Sequence, residues 1–266
     1  MKQRLAIPLA VASSVLLTAC GGGGGDDPPP VTPLRAENYT DVSLQVVSSV
    51  TATGPVFDAL AVVALATSDA GGPSCATFTA TDVAPPGLSQ GDSFAVVAKE
   101  CVLRPGELPV NGGLTFTFNA VGTNSAVTMQ FTEFTTAGLT LNGAALLSVN
   151  STTTTLAYQG LTAVKPASAG TPARTVVYNH TMAFFDSFQT ARVTGGMVVN
   201  GSAYQLSTPE DLTLGRAYPE DGRLLISDGR GARVRVTMSE TGFTSELFLS
   251  LTSPVAATVT RLWSAL

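Results

Sequence analysis

Catalysis and metal binding need side chains that exchange protons, attack carbon or donate lone pairs, and this chain has few of them. It carries one histidine, His180, and three cysteines. His180 sits in Tyr178-Asn179-His180-Thr181-Met182, a strand-like run with no catalytic motif around it. The expected place for such a residue is a solvent-facing or hydrogen-bonded strand position. Four carboxylates fall within 12 residues, in Pro209-Glu210-Asp211 and Pro219-Glu220-Asp221. Hard cations such as calcium take several oxygen ligands. A calcium loop, however, shows denser alternation of Asp and Asn around a glycine. Arg216, Arg223, Arg230, Arg233 and Arg235 lie nearby to neutralise these acids. Surface turns with ion pairs are the simpler expectation, and no metal site or cofactor is assigned.

Cys20 has the most specific context. Lys2 and Arg4 precede a mostly apolar run from Leu5 to Leu17, which ends in Leu17-Thr18-Ala19-Cys20. That is a charged segment, an apolar segment and a small-residue cleavage site. The run is about 13 residues against the roughly 20 that span a bilayer as a helix. The last four positions resemble the lipobox of bacterial lipoproteins. The resemblance implies a signal peptide over residues 1–19, cleavage before Cys20, and acyl chains such as palmitate on Cys20 that hold the protein to a lipid bilayer. Two or more chains make a lasting anchor. An aspartate directly after the cysteine marks inner-membrane retention in such lipoproteins. Gly21 stands there, so the cell envelope, at the outer membrane, is the expected location.

The five glycines and three prolines of residues 21–30 read as flexible coil followed by stiffer polyproline, so residues 20–35 form a tether. An exported protein meets an oxidising compartment. There the remaining pair, Cys75 and Cys101, reads as a disulfide. Closing that loop stabilises a fold by roughly 3 kcal/mol in the chain-entropy model.

Gly91-Asp92-Ser93-Phe94 is similar to the nucleophile block of GDSL-type esterases, whose base follows in an Asp-x-x-His pattern. Three positions before His180 stands Val177, and the α/β fold of that family is missing from the pattern of this chain. A turn leading into a strand from Phe94 to Ala98 is the simpler expectation. Hydrolase is therefore the remote alternative.

Such residues are positioned by what the rest of the chain builds. Only 12% of it is charged and the net charge is −5, which excludes the concentrated basic face of a nucleic-acid binder. After Asn38, a plausible helix cap, Tyr39, Val42, Val46 and Val50 recur at helical spacing. Phe57, Leu60, Ala61 and Ala64 repeat the spacing after Gly54-Pro55. One or two short N-terminal helices are expected. From Ala76 the period changes to two, as in Leu114-Thr115-Phe116-Thr117-Phe118, Val127 to Phe131, Arg233 to Met238 and Leu247, Leu249, Leu251. This is the signature of half-buried antiparallel strands. Gly112-Gly113, Gly122-Thr123-Asn124, Asn142-Gly143, Asn200-Gly201 and Asp228-Gly229 all suit tight hairpins. About ten to fourteen strands joined to their sequence neighbours follow.

The predicted fold is mainly β, with residues 36–266 as a single domain. It is a long antiparallel meander forming a curled sheet or partly open barrel, part-covered by the N-terminal helices. Its Thr- and Ser-rich polar faces argue against a barrel that spans a membrane. Residues Gly138 to Ala145 echo Gly196 to Ala203, each reading as a strand, an Asn-Gly turn and a return strand. Phe184, Phe185 and Phe188 read as core plus loop. Trp263, the one tryptophan, reads as a plug at the end of the core.

Tyr218-Pro219, Gly222 to Ser227, Asp228-Gly229, Arg233 to Met238 and Arg261-Leu262-Trp263 together resemble a pattern in uncharacterised proteobacterial envelope lipoproteins. The function expected is that of a membrane-anchored, non-enzymatic structural or binding module. Its partner would be an envelope protein. The alternative is a carrier of a small apolar ligand or lipid in the concavity of the sheet, which predicts a cavity there.

Overall fold

The structure is a computed structural model and describes residues 31–50, 59, 61–62, 75–80, 89–103, 108–136, 138–167, 173–215 and 218–265. Among the described residues, α1 (Tyr39–Ser49) and the helical positions 59, 61 and 62 precede thirteen strands. They are β1 (Ala76–Ala80), β2 (Ser93–Cys101), β3 (Val110–Ala120), β4 (Ser125–Thr136), β5 (Leu139–Val149), β6 (Thr154–Lys165) and β7 (Arg174–Phe185). Then follow β8 (Thr190–Val199), β9 (Ser202–Leu214), β10 (Pro219–Ser227), β11 (Arg233–Ser239), β12 (Gly242–Phe248) and β13 (Val255–Leu262). Every strand pairs antiparallel with its sequence neighbours in one sheet of order β1 to β13. The two outer strands do not pair with each other, so the sheet stays open. The fold class read from the sequence holds.

Alternation explains the architecture. On β11, Val234, Val236 and Met238 are buried, while Arg233 and Arg235 point the other way. The inward side chains of β1 to β12 form one continuous core with α1 and Trp263. A flat sheet of this width could not bury one face against a helix as short as α1. The sheet therefore curls around its apolar side. The helix lies against β8, β11 and β12 through Tyr39, Val42, Val46 and Val47. Its buried hydroxyls are satisfied within the helix: Ser43 donates to the Tyr39 carbonyl and Ser49 to that of Val46. Asn38 does occupy the cap position, but its side chain makes no cap hydrogen bond. It turns back instead, accepting from the Arg35 amide at 2.8 Å and donating to the Pro33 carbonyl at 3.1 Å. The second expected helix, around Phe57 to Ala64, lies mostly outside the described residues. Of it, Ala59, Ala61 and Val62 are helical, with Ala59 and Val62 buried.

Apart from register shifts between β8 and β9, β9 and β10, and β12 and β13, the alternation breaks in the same way on β2, β4 and β6. Buried positions run Val96, Ala98, then Cys101 on β2; Met129, Phe131, then Phe134 on β4; Leu156, Tyr158, then Leu161 on β6. Each step of three passes a bulge, which inserts one residue and returns the next side chain to the core. The inserted residues Glu100, Glu133 and Gly160 have φ of 55°, 46° and 70°. Each donates its amide to an asparagine Oδ1 on the following strand, respectively Asn111 at 2.8 Å, Asn142 at 2.9 Å and Asn179 at 2.9 Å. The same device thus recurs on every second strand from β2 to β7.

Two of the five expected turns belong to this device. Gly112-Gly113 lies inside β3 and Asn142-Gly143 inside β5. Gly143 has φ +114° and passes so close to β6 that an added Cβ would stand 2.7 Å from the Gly160 carbonyl oxygen. The other three expected turns join β3 to β4, β8 to β9 and β10 to β11. The echo between Gly138–Ala145 and Gly196–Ala203 therefore compares a mid-strand bulge with a true hairpin. The run Leu247, Leu249, Leu251 also divides. β12 stops at Phe248, and both later leucines are exposed in the connection to β13.

Cys75 and Cys101 form a disulfide with Cα atoms 5.1 Å apart. It ties the start of the five-residue edge strand β1 to the end of β2, beside the amide of Lys99 that donates to the Cys75 carbonyl. Trp263 leaves β13 in a short 3-10 turn. It is buried, stacks on Tyr218 with ring centres 4.9 Å apart, and donates Nε1 to the Ser239 carbonyl. It plugs the end of the core as its sequence position implied.

Candidate functional site

His180 is the one expected site residue whose surroundings the structure reverses. It is 1% exposed on β7 and faces the core between Tyr178 and Met182, since the alternation Val176, Tyr178, His180, Met182 carries it inward. Across the pair with β8 stands Gly195, whose missing side chain lets the backbones close up against His180. Tyr158 of β6 lies 4.8 Å from the imidazole, ring centre to ring centre, and Tyr178 lies 5.8 Å away, edge to face. The two tyrosine rings are themselves 5.4 Å apart.

Among the described residues neither ring nitrogen of His180 has a hydrogen-bond partner. Burial disfavours the imidazolium and pushes the His180 pKa down to about 4. Burial raises both phenols, Tyr178 to about 12, and the charge of Tyr178 adds to the rise at Tyr158. At neutral pH all three groups are uncharged. The cluster is a polar inclusion in an apolar wall, with two unsatisfied nitrogens at its centre.

The acidic pairs lie on the opposite, outer face, in strands rather than turns. Asp211 of β9 takes both Nε and Nη2 of Arg192 on β8, at 2.8 and 2.7 Å. Glu210 takes Arg223 of β10 at 2.7 Å. The hydrogen bond from Arg192 holds the Asp211 carboxyl below its usual range. Arg235 pairs with Glu246 at 2.8 Å, and both Arg233 and Arg235 lie over the Phe248 ring at 5.2 Å. Glu210 and Asp211 are thus neutralised by cross-strand arginines, while Asp221 accepts the Gly222 amide at 2.7 Å. Among the described residues no three His, Cys, Asp or Glu side chains converge as metal ligands would.

Ser93 opens β2 and His180 lies on β7, five strands along the sheet, so the structure does not bring them together as nucleophile and base. Asp92 is buried and accepts the Ser89 amide at 2.6 Å, while Gly91 donates to the Phe118 carbonyl. The Gly-Asp-Ser stretch is a turn that starts a strand. Phe184 is buried and packs on the exposed Phe188 at 5.1 Å. Cys20 and residues 21–30 lie outside the described residues. Residues 31–35, expected as the end of the tether, are described, and Leu34 there is buried against the domain. Among the described residues no helix is long and apolar enough to cross a membrane.

What sequence reasoning missed is the role of Asn111, Asn142 and Asn179 in accepting the bulge amides. The signal was present: each stands in a strand whose neighbour skips one step of alternation. Compared with family models, with characterised proteins and with solved structures, the chain matches none.

Proposed function

We propose that this chain is a lipid-anchored protein of the bacterial cell envelope, held at the outer membrane through Cys20, and that its β domain is a binding or structural module rather than an enzyme. The observation that carries the reading is Leu17-Thr18-Ala19-Cys20 at the end of a short apolar run behind Lys2 and Arg4. The Cys75–Cys101 disulfide supports an oxidising compartment. The separation of Ser93 from His180 in the sheet order supports a non-catalytic domain. A firm anchor on a Gly- and Pro-rich tether suits a module that acts where it is held.

Cys20→Ser tests the anchor. The parent chain is expected to incorporate labelled palmitate and to sediment with membranes. The variant is expected to lose the label and to be found either outside the membrane fraction or as uncleaved precursor. A variant that keeps label and membrane attachment would sink the reading.

A further inference from the structure

The strands alternate in direction, so every hairpin falls on one of two rims. The connections β2–β3, β4–β5, β6–β7, β8–β9, β10–β11 and β12–β13 share one of them, the proximal rim. The N-terminal segment arrives there. Ser202 at the start of β9 donates to Thr32 Oγ1, and the Leu34 amide donates at 3.1 Å to Asp228 in the β10–β11 turn. On the same rim Leu249 and Leu251 stand 56% and 69% exposed in one connection, and Val102 and Leu108 stand 56% and 63% exposed in another.

We propose that this proximal rim rests on the lipid surface, with Leu249 and Leu251 entering the headgroup region. The proposal rests on the attachment of lipid at Cys20 and adds an orientation to it. Twelve residue steps separate Cys20 from Thr32, and for a Gly- and Pro-rich sequence of that length the typical reach is roughly 20 Å. A strand as long as β9, with 13 residues, measures roughly 40 Å. A tether that short, ending on the proximal rim, holds that rim toward the bilayer and the distal rim away from it.

The distribution of side chains agrees. Leu249 and Leu251, separated by Ser250, place two exposed large apolar side chains in one loop, a feature that marks interaction surfaces. The distal rim exposes Val121, Val149, Phe188 and Leu262, but each on a different hairpin or strand end, and single exposed apolar side chains are ordinary. The distal rim also exposes Asp186, Glu220 and Glu240, which anionic headgroups repel. The proximal rim mixes signs, exposing Lys99, Lys165 and Arg230 as well as Glu37 and Glu100.

The test uses the full lipidated chain in vesicles of phosphatidylcholine with bromine on the acyl chains, a quencher of tryptophan. Leu251→Trp reports the proximal rim and Phe188→Trp the distal rim, each against the parent with Trp263 alone. The added fluorescence of Leu251→Trp is expected to fall about twofold relative to unbrominated vesicles, as for a side chain at the boundary of headgroups and acyl chains. That of Phe188→Trp is expected to stay unchanged. Leu249→Trp is the second proximal probe and should follow Leu251→Trp. Equal quenching at both rims, or stronger quenching at Phe188→Trp, overturns the proposal. Palmitate labelling of the same protein separates the two claims. Labelled protein with an unquenched proximal probe overturns the orientation alone. Protein that carries no label and does not float with vesicles overturns attachment and orientation together.

Discussion

Gly143→Ala is expected to lower the unfolding free energy by roughly 3 kcal/mol or more, whereas Gly201→Ala lowers it by only about 1. Both glycines have positive φ, +114° and +80°. They differ in their surroundings. A Cβ on Gly201 meets nothing within 4 Å, so that variant reports backbone conformation alone. A Cβ on Gly143 meets the Gly160 carbonyl oxygen at 2.7 Å and Leu161 Cα at 3.1 Å, both in the backbone of β6. Backbone cannot swing aside as a flexible side chain can. β5 and β6 must separate at the point where the Gly160 bulge returns Leu161 to the core. A domain with a typical stability of about 5–15 kcal/mol survives this only in part. Urea unfolding followed by circular dichroism measures the difference. Equal losses in the two variants would show that β5 does not pass β6 this closely.

The second large effect is acid lability centred on His180. Its folded-state pKa is lowered to about 4 from 6.5. Between those values the unfolded chain binds a proton that the folded chain refuses, so stability falls as pH drops from 6.5 toward 4 and levels off below. The shift corresponds to a loss of about 3 kcal/mol over that window. Carboxylates such as Asp211 add their own loss at lower pH, in the same direction. His180→Phe isolates the imidazole contribution. It fits the aromatic neighbours Tyr158 and Tyr178 and removes two unsatisfied nitrogens. The variant is expected to match or exceed the parent at pH 7 and to lose most of the slope between pH 6.5 and 4.5. Parallel slopes in parent and variant would place the proton elsewhere.

Both effects trace to features that local pattern reading treats unevenly. Period-two runs such as Arg233 to Met238 revealed the strands, because alternation is the direct consequence of one buried face. The Cys75–Cys101 bond was legible because, with Cys20 assigned to lipid, two cysteines were left and they have one way to pair. Asn142-Gly143 was misread as a turn because a primed turn and a mid-strand bulge both need positive φ, and the dipeptide supplies it to either. What decides between them is whether apolar alternation resumes in the same strand. It does so on β5, where Leu141 and Ala145 are both buried. His180 was misplaced for a different reason. Its chemistry favoured water, but the parity of Val176, Tyr178 and Met182 favoured the core, and parity won. A buried apolar face outweighs the desolvation of one neutral imidazole. The closing pair Tyr218 and Trp263, 45 residues apart in sequence, could come only from the three-dimensional fold.

The central claim, that Cys20 fixes this β domain to a membrane, is tested most directly by the mass of the amino-terminal peptide of the protein purified from bacterial membranes. Lipid attachment predicts a chain that begins at Cys20, with a diacylglyceryl group on its sulfur. A chain that begins elsewhere, or one that retains Cys20 as a free thiol, contradicts it.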